Sequence, residues 1–359
     1  MSETPSQAAA DLVRRWLLPR SVFSGVASVV IAFAIGAVLI AAIGRDPLLA
    51  YASLFEASLG STNGLAETAI RTVPLALCGI GIALAFRAGV FNVGAEGQLF
   101  IGGTAAAWAG LQLVGQPQWL VLPAMGIAAA LAGAAWSAIA GVLKLKLRAD
   151  ELISTIMLNY IAIHLVGYLL HGPLQDPGSP LARTARLGAE ARLPMLLEGT
   201  RLHAGLLIVI VVAIVAQVFL WRSVAGFRLR AVGHNPRAAE NAGMNVKAAL
   251  WTGFLVCGAL AGLAGFSEVA GVQRRMIENL SPGFGYTAII VALLGQTNPL
   301  GVLASAVLFA ALQIGSTTME SAAGVPSALT TVIQALVVLL LIGQNALPRL
   351  FRRRAASGG

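Results

Sequence analysis

Charge is scarce in this sequence: only 11% of its 359 residues are Asp, Glu, Lys or Arg. A soluble chain of this length carries about 25% charged residues to cover its surface, so a water-soluble globular fold is excluded. Lysine occurs at Lys144, Lys146 and Lys247 alone, never after a glycine. Without Gly-Lys-Ser/Thr there is no P-loop to cradle nucleotide phosphates, and ATP is not bound in that way. The four histidines (His164, His171, His203 and His234) show no His-Glu-x-x-His spacing, which removes the zinc-protease reading. Asp11, Asp46, Asp150 and Asp176 lie outside or at the ends of the apolar runs, against an intramembrane aspartyl pair. Cys78 and Cys257 sit inside apolar segments and read as packing residues, with neither a disulfide framework nor a metal site. The expectation is a non-catalytic chain without cofactor or metal, whose chemistry is translocation powered from elsewhere.

What the sequence has in abundance is apolar length. It is 57% hydrophobic, with a mean hydropathy of +0.82. Runs near the ~20 residues needed to cross a ~30 Å hydrocarbon core fall at about 22–43, 70–86, 95–114, 119–143, 152–171, 203–221, 249–271, 285–296, 299–316 and 327–347. The expected fold class is an all-α polytopic membrane protein of about ten transmembrane helices. The eighth and ninth are short, separated by Thr297-Asn298-Pro299, and read as a broken or re-entrant pair.

The formal net charge of +9 does not point to nucleic acid, because the cations sit in short connections between spans. That is the pattern of orientation signals and of contact with anionic membrane lipids. With the N-terminus inside, 16 of the 24 cations fall on the cytoplasmic side, so ten spans with both termini inside is the favoured topology of a multi-pass inner-membrane protein. Residues 1–21 read as a cytoplasmic segment holding Arg14, Arg15 and Arg20, and no cleavage site follows them. Residues 22–347 form the transmembrane domain, with a cytoplasmic loop at 222–248, and 348–359 form a basic cytoplasmic tail. The long outer connection, 172–202, contains Pro173, Pro177, Pro180 and Pro194, which favour turns over continuous helix.

The most unusual stretch is 86–103, which places Arg87, Asn92, Glu96, Gln98 and five glycines between two apolar runs. An ionisable group at bilayer depth costs about 2.5–3.5 kcal/mol on insertion scales and faces a cavity or a partner. Irregular backbone is tolerated there only where protein or water satisfies its polar groups. Asn92, Glu96 and Gln98 are therefore candidates for lining the pathway or fixing a bend. The alternative for Glu96 is a first-turn acid stabilised by the helix dipole, with Asn92 as cap. Asn159, in mid-span, has two readings, interhelical hydrogen bonding and solute contact. Glu268 and Gln296, near the ends of their spans, have the same two, and Gln296 joins the pathway candidates. Asp150-Glu151 read as a solvated first-turn acid pair at a helix start.

The inner loop 222–248 contains a helix start and stop. Asn235 fits an N-cap, Pro236 the first helical position and Gly243 the C-terminal break, giving a helix of about two turns. Ala238, Ala239, Ala242 and Met244 suit a partner's groove, with Arg237 and Glu240 at its rim. A faint internal echo relates Cys78-Gly79-Ile80-Gly81-Ile82-Ala83-Leu84-Ala85-Phe86 to Cys257-Gly258-Ala259-Leu260-Ala261-Gly262-Leu263-Ala264-Gly265-Phe266. A polar, Gly-rich stretch follows each, as in transporters built from inverted repeats; spans two to five and seven to ten would be the units.

Three ordered motifs then carry a family resemblance: Phe91-Asn92-Val93-Gly94-Ala95-Glu96-Gly97-Gln98; Asp150-Glu151-Leu152-Ile153-Ser154-Thr155-Ile156-Met157-Leu158-Asn159-Tyr160; and Arg230-Ala231-Val232-Gly233-His234-Asn235-Pro236-Arg237-Ala238-Ala239. Together they resemble the permease of ABC importers of the branched-chain amino acid/ribose class, nucleoside and simple-sugar subgroup, over roughly 60–350. The sequence departs at His234, where most relatives carry Glu or another residue. The resemblance implies a coupling loop comprising Gly233, His234, Asn235, Pro236, Arg237, Ala238, Glu240 and Gly243. It also implies three partners: an ATP-binding cassette ATPase, a second permease in a heterodimer, and an extracytoplasmic solute-binding lipoprotein. Nucleosides are the expected solute; simple sugars, branched-chain amino acids and an ion-coupled secondary transporter are the alternatives. Uncharged polar groups in the spans suit a neutral polar solute.

Overall fold

The computed structural model describes residues 20–337, 339 and 340. Most of the N-terminal segment, the end of the tenth run and the basic tail lie outside the described residues. Helices run through nearly all of it: α1 (Arg20–Ala42), α2 (Pro47–Leu59), α3 (Thr62–Arg87), α4 (Ala95–Gln112), α5 (Gln118–Leu147), α6 (Glu151–His171), α7 (Gly205–Arg222), α8 (Val224–His234), α9 (Pro236–Asn241), α10 (Val246–Ser267), α11 (Phe284–Leu294), α12 (Pro299–Ala323) and α13 (Ala328–Val337). A π-helical turn, Glu268–Gln273, extends α10. Among the described residues the only β-pairing is two isolated bridges, Arg183 with Ile277 and Met195 with His203. Among the described residues six helices are long and apolar enough to cross a membrane, and Ala27–Ala42 of α1, α11 and α13 are shorter apolar helices. The chain is thus an all-α, multi-helix membrane protein.

The contacts divide into two units, Ser58–Ala311 and the flanking segments on either side of it. Within the larger unit α3 is the central rod. Its residues from Thr72 to Ala85 are all buried, as a helix apolar all round must be to hide from solvent on every face. α10 packs against α3, α4 and α5 through small residues. A Cβ on Gly258 would meet Gly133 of α5, one on Gly262 would meet Ala129 of α5, and one on Gly265 would meet Leu99 and Gly103 of α4. Such small-residue faces let helix backbones approach closely where lipid supplies no hydrophobic drive. Gly81 of α3 approaches Cys257 of α10 in the same manner, so the two echoing stretches pack on one another.

Local chemistry sets the helix ends. Asp150 accepts from the amides of Leu152 (2.9 Å) and Ile153 (3.2 Å) and so caps α6, while Glu151 pairs with Lys144 at the end of α5. The 172–204 connection holds one short 3-10 turn, Ala189–Ala191. It folds back onto the chain after α10 through Thr184 N–H to Met276 O (3.0 Å), Leu187 N–H to Arg274 O (2.9 Å) and Leu193 N–H to Ala270 O (3.1 Å). Arg201 then forks onto Glu67 near the start of α3 at 2.8 and 2.7 Å.

In the smaller unit, α1 and α2 pair through Phe33, whose ring meets Tyr51 and stacks on Phe55, and through the Tyr51 hydroxyl on Phe33 O at 2.7 Å. Hydropathy alone misses α2 and the first two turns of α3. Both carry acids (Glu56, Glu67) that break the apolar run, yet Asp46 and Ser61 cap their starts. The eighth and ninth runs are α11 and α12, joined by a tight turn in which Gln296 and Thr297 adopt φ values of 54° and 53°. With 11 residues, α11 rises about 16 Å, half of a ~30 Å hydrocarbon core.

Candidate functional site

The 88–94 break is built by side chains that replace the missing helical hydrogen bonds. Asn92 folds back to accept from Gly94 N–H at 2.8 Å. Its amide and that of Gln98 exchange contacts of 3.4 and 3.2 Å. Asn92 Nδ2 also reaches Ser137 Oγ of α5 (3.4 Å), which donates to Phe254 O of α10 at 2.7 Å. Thr155 Oγ1 of α6 accepts from Val93 N–H at 3.2 Å. One residue of α6 does most of the bridging: Asn159 Oδ1 accepts from Gly97 N–H (2.9 Å) and Nδ2 donates to Val93 O (3.0 Å). Asn159 thereby satisfies an orphan first-turn donor of α4 and clamps the break to that helix.

Glu96 serves a different helix. Its Oε2 accepts from Gly285 N–H at 2.6 Å, while the Ser281 hydroxyl accepts from the amides of Gly283 and Phe284 at 3.1 and 2.8 Å. A carboxylate at the opening of α11 meets unsatisfied amides and the positive dipole end, both favourable to an anion. Asn92, Glu96, Gln98 and Asn159 are all at most 2% exposed. The fold buries these four sequence candidates around one break: the amides of Asn92, Gln98 and Asn159 bond one another, backbone, Ser137 and Tyr286, while Glu96 turns to α11.

Gln296 lies outside that network. Its carbonyl accepts from Arg87 Nη2 at 3.0 Å, while Thr297 O accepts from Arg87 Nε at 3.3 Å. Arg87 closes α3, and one guanidinium therefore pins the α11–α12 turn to the end of the central rod. The same guanidinium lies 5.7 Å from the ring of Trp221, on whose ring Arg230 also sits at 4.4 Å.

The loop helix forms as expected. Asn235 Oδ1 accepts from Ala238 N–H at 3.1 Å, Pro236 begins α9, and Gly243 takes φ 77° at its end. His234, Asn235, Pro236, Arg237, Ala238, Glu240 and Gly243 are exposed, whereas Ala239 packs with Val232 and Ala249 against Met244. Of the small residues offered to a partner, Ala238 and Ala242 face outward while Ala239 and Met244 anchor α9 to its own chain. Gly233 sits against the carbonyl of Arg87 and against Gly89, where any Cβ would collide with backbone. Gly89 is itself at φ 80°, which glycine adopts without strain. The end of α8, directly before the exposed α9, therefore bears on the end of α3 through a glycine-to-backbone contact. Sequence reasoning found α9 and Gly233, but not Arg87 as the junction, because its partners lie about 130–210 positions away.

The described residues thus form a helical membrane bundle with a broken polar element between α3 and α4 and a short exposed helix, α9. Residues 64–342 match the model of the family described as "Branched-chain amino acid transport system / permease component", and the chain belongs to that family. It is 39% identical to the glucose ABC transporter permease protein TsgB13 of Haloferax volcanii, over 88% of this chain and 86% of that one. It is 36% identical to the guanosine ABC transporter permease protein NupP of Bacillus subtilis, over 89% and 92% of the two chains. With the nucleoside ABC transporter permease protein NupB of Lactococcus lactis it shares 31% identity, over 90% and 91%. No solved structure matches it.

Proposed function

We propose that the chain is the non-catalytic permease subunit of an ATP-driven ABC importer that takes up nucleosides. The observation that carries this reading is the exposed α9 joined directly to α8, whose Gly233 rests on Arg87: an external engine gripping α9 can push through α8 on α3, and through Arg87 on the α11–α12 turn. Two of the three relatives described above are named for nucleoside or guanosine transport. The motif at 91–98 supports the same subgroup. Glucose or another simple sugar is the second reading, favoured by the relative at 39% identity.

The partners on this reading are a cassette ATPase at α9, a second permease and an extracytoplasmic solute-binding lipoprotein. Curated relatives of this chain include two different permeases named for guanosine in one organism, NupP and NupQ, which supports a heterodimer. With α9 facing the cytoplasm, the 172–204 connection lies outside. Ten crossings with both termini inside then run through α1, α3, α4, α5, α6, α7, α10, the broken element 274–294, α12 and α13. Residues 22–347 constitute the permease domain between the cytoplasmic segment 1–21 and the tail 348–359. The packing of Gly81 on Cys257 supports an inverted repeat relating spans two to five and seven to ten. Asn92, Glu96, Gln98, Asn159 and Gln296 act on the pathway by shaping its broken elements.

The test is uptake of radiolabelled guanosine into proteoliposomes holding all four components. ATP-dependent uptake, little affected by excess glucose, supports nucleosides; the reverse preference favours sugars. Uptake that survives removal of the ATPase and collapses with a proton uncoupler would replace the ABC reading with ion coupling.

A further inference from the structure

At the end of α3 remote from Arg87 the larger unit encloses a cavity of about 470 Å³. Its charged lining is Glu67 and Arg71 of α3, Arg201 of the long connection, and Glu268, which opens the π-helical turn after α10. Two acids face two guanidiniums, so the cavity is electrically balanced and selects against a strongly charged occupant. Glu67 and Arg201 consume each other in their bidentate pair, and Arg71 lies over the ring of Phe284, 5.7 Å from its centre. Glu268 is different. It is 5% exposed, lines the cavity and receives no hydrogen bond from any described residue. A buried carboxylate without donors is expensive unless something supplies them, and π-helical turns occur frequently at functional sites.

We propose that this cavity is a binding subsite for the transported solute, in which the Glu268 carboxylate accepts hydrogen bonds from paired hydroxyls of a neutral polyol such as the ribose of a nucleoside. Two carboxylate oxygens match two vicinal hydroxyls in a charge-assisted, bidentate contact. Phe284, Leu280 and Ile70 provide the apolar wall for a flat base. The Glu96 hydrogen bond lies directly behind this cavity. Phe284, next to the Gly285 amide that Glu96 holds, is part of the lining, so the 92–98 motif holds one wall of the subsite in place. The inference rests on the uptake function above and assigns it a location.

The experiment uses the assembled transporter in proteoliposomes, with guanosine and 2′,3′-dideoxyguanosine as probes. Glu268→Gln should raise the guanosine KM about tenfold, the scale of one charge-assisted hydrogen bond, and shrink the preference for guanosine over the dideoxy analogue. An unaltered preference in E268Q would overturn the subsite. A second measurement does not depend on that variant folding: Val272→Cys, in the cavity lining, should react with an external thiol reagent and be protected by guanosine. If guanosine is not transported by the wild-type assembly but glucose is, the nucleoside reading fails, while protection of V272C by glucose upholds the polyol subsite. Protection by neither solute overturns it.

Discussion

The carboxylate of Glu96, in the first turn of α4, accepts the Gly285 amide in the first turn of α11 at 2.6 Å. One acid thus stands at the positive ends of two interrupted helices whose starts lie 189 positions apart in sequence. This relationship joins the polar break between α3 and α4 to the short helix that ends at the Arg87-held turn.

Removing that acid tests whether its role goes beyond the fold. Glu96→Ala leaves the Gly285 donor buried without its partner, and should destabilise the chain in detergent by about 1–3 kcal/mol, read as a lowered thermal midpoint. Glu96→Gln keeps an acceptor in place, so the chain should stay folded while ATP-driven uptake falls. Unchanged uptake by E96Q would confine Glu96 to capping.

Asn159 is the single bridge between α6 and both the Val93 carbonyl and the Gly97 amide. Asn159→Leu strands a buried donor and a buried acceptor, and a loss of about 2–4 kcal/mol is expected from the two unmade bonds. Asn159→Asp restores the acceptor for Gly97 alone and should recover less than the full stability. Equal midpoints for wild type and N159L would show that water or a shift of backbone replaces these bonds.

In the proposed coupling, Gly233 of α8 passes force to α3 only if nothing keeps it from Arg87. Gly233→Ala places a methyl group against carbonyl and amide backbone atoms that cannot rotate away. Nucleoside uptake should fall about tenfold or more while ATP hydrolysis by the assembly continues, since transport needs a bistable element biased from both sides. The informative quantity is solute moved per ATP split. A normal ratio in G233A would mean that α9 is coupled through another contact. Ala238→Glu, on the exposed face, should instead weaken assembly with the ATPase, seen as loss of co-purification.

Arg87 spans the carbonyls of Gln296 and Thr297, a fork that a lysine ammonium cannot match. Arg87→Lys should therefore raise amide hydrogen exchange across 295–298 by about tenfold, the equivalent of roughly 1.4 kcal/mol of lost local stability. Exchange in α5 and α6 should not change. If the turn stays as protected as in the wild type, its two left-handed residues are held by their own hydrogen bonds, and Arg87 is dispensable there.

Much of this molecule was legible in its residues, and the legible parts share a cause. Asn235, Pro236 and Gly243 bound α9 because caps and breaks act over three or four residues. The break at 88–94 was visible because polar side chains and glycines at bilayer depth demand partners. α2 was not legible: Glu56 interrupts its apolar run, and the capping by Asp46 carries no hydropathy. The π-helical turn at 268–273 left no mark that period or composition detects. Glu268 could be singled out as a buried acid, but its place in a cavity with Glu67, Arg71 and Arg201 could not.

By itself, then, the sequence determined that the chain is a helical membrane protein, where its polar breaks fall, where the short helix of the 222–248 loop starts and stops, and the permease family whose motifs it carries. Apolar length, capping and motif order are properties of adjacent residues, and they survive being read in one dimension. Only the tertiary structure decided that Glu96 caps α11, that Asn159 clamps the break, that Arg87 joins α3 to the α11–α12 turn, and that Glu268 is left facing a cavity. Those pairings depend on how closely the glycine faces of α10 let its neighbours approach, and a buried polar group finds its partner wherever that packing happens to bring one.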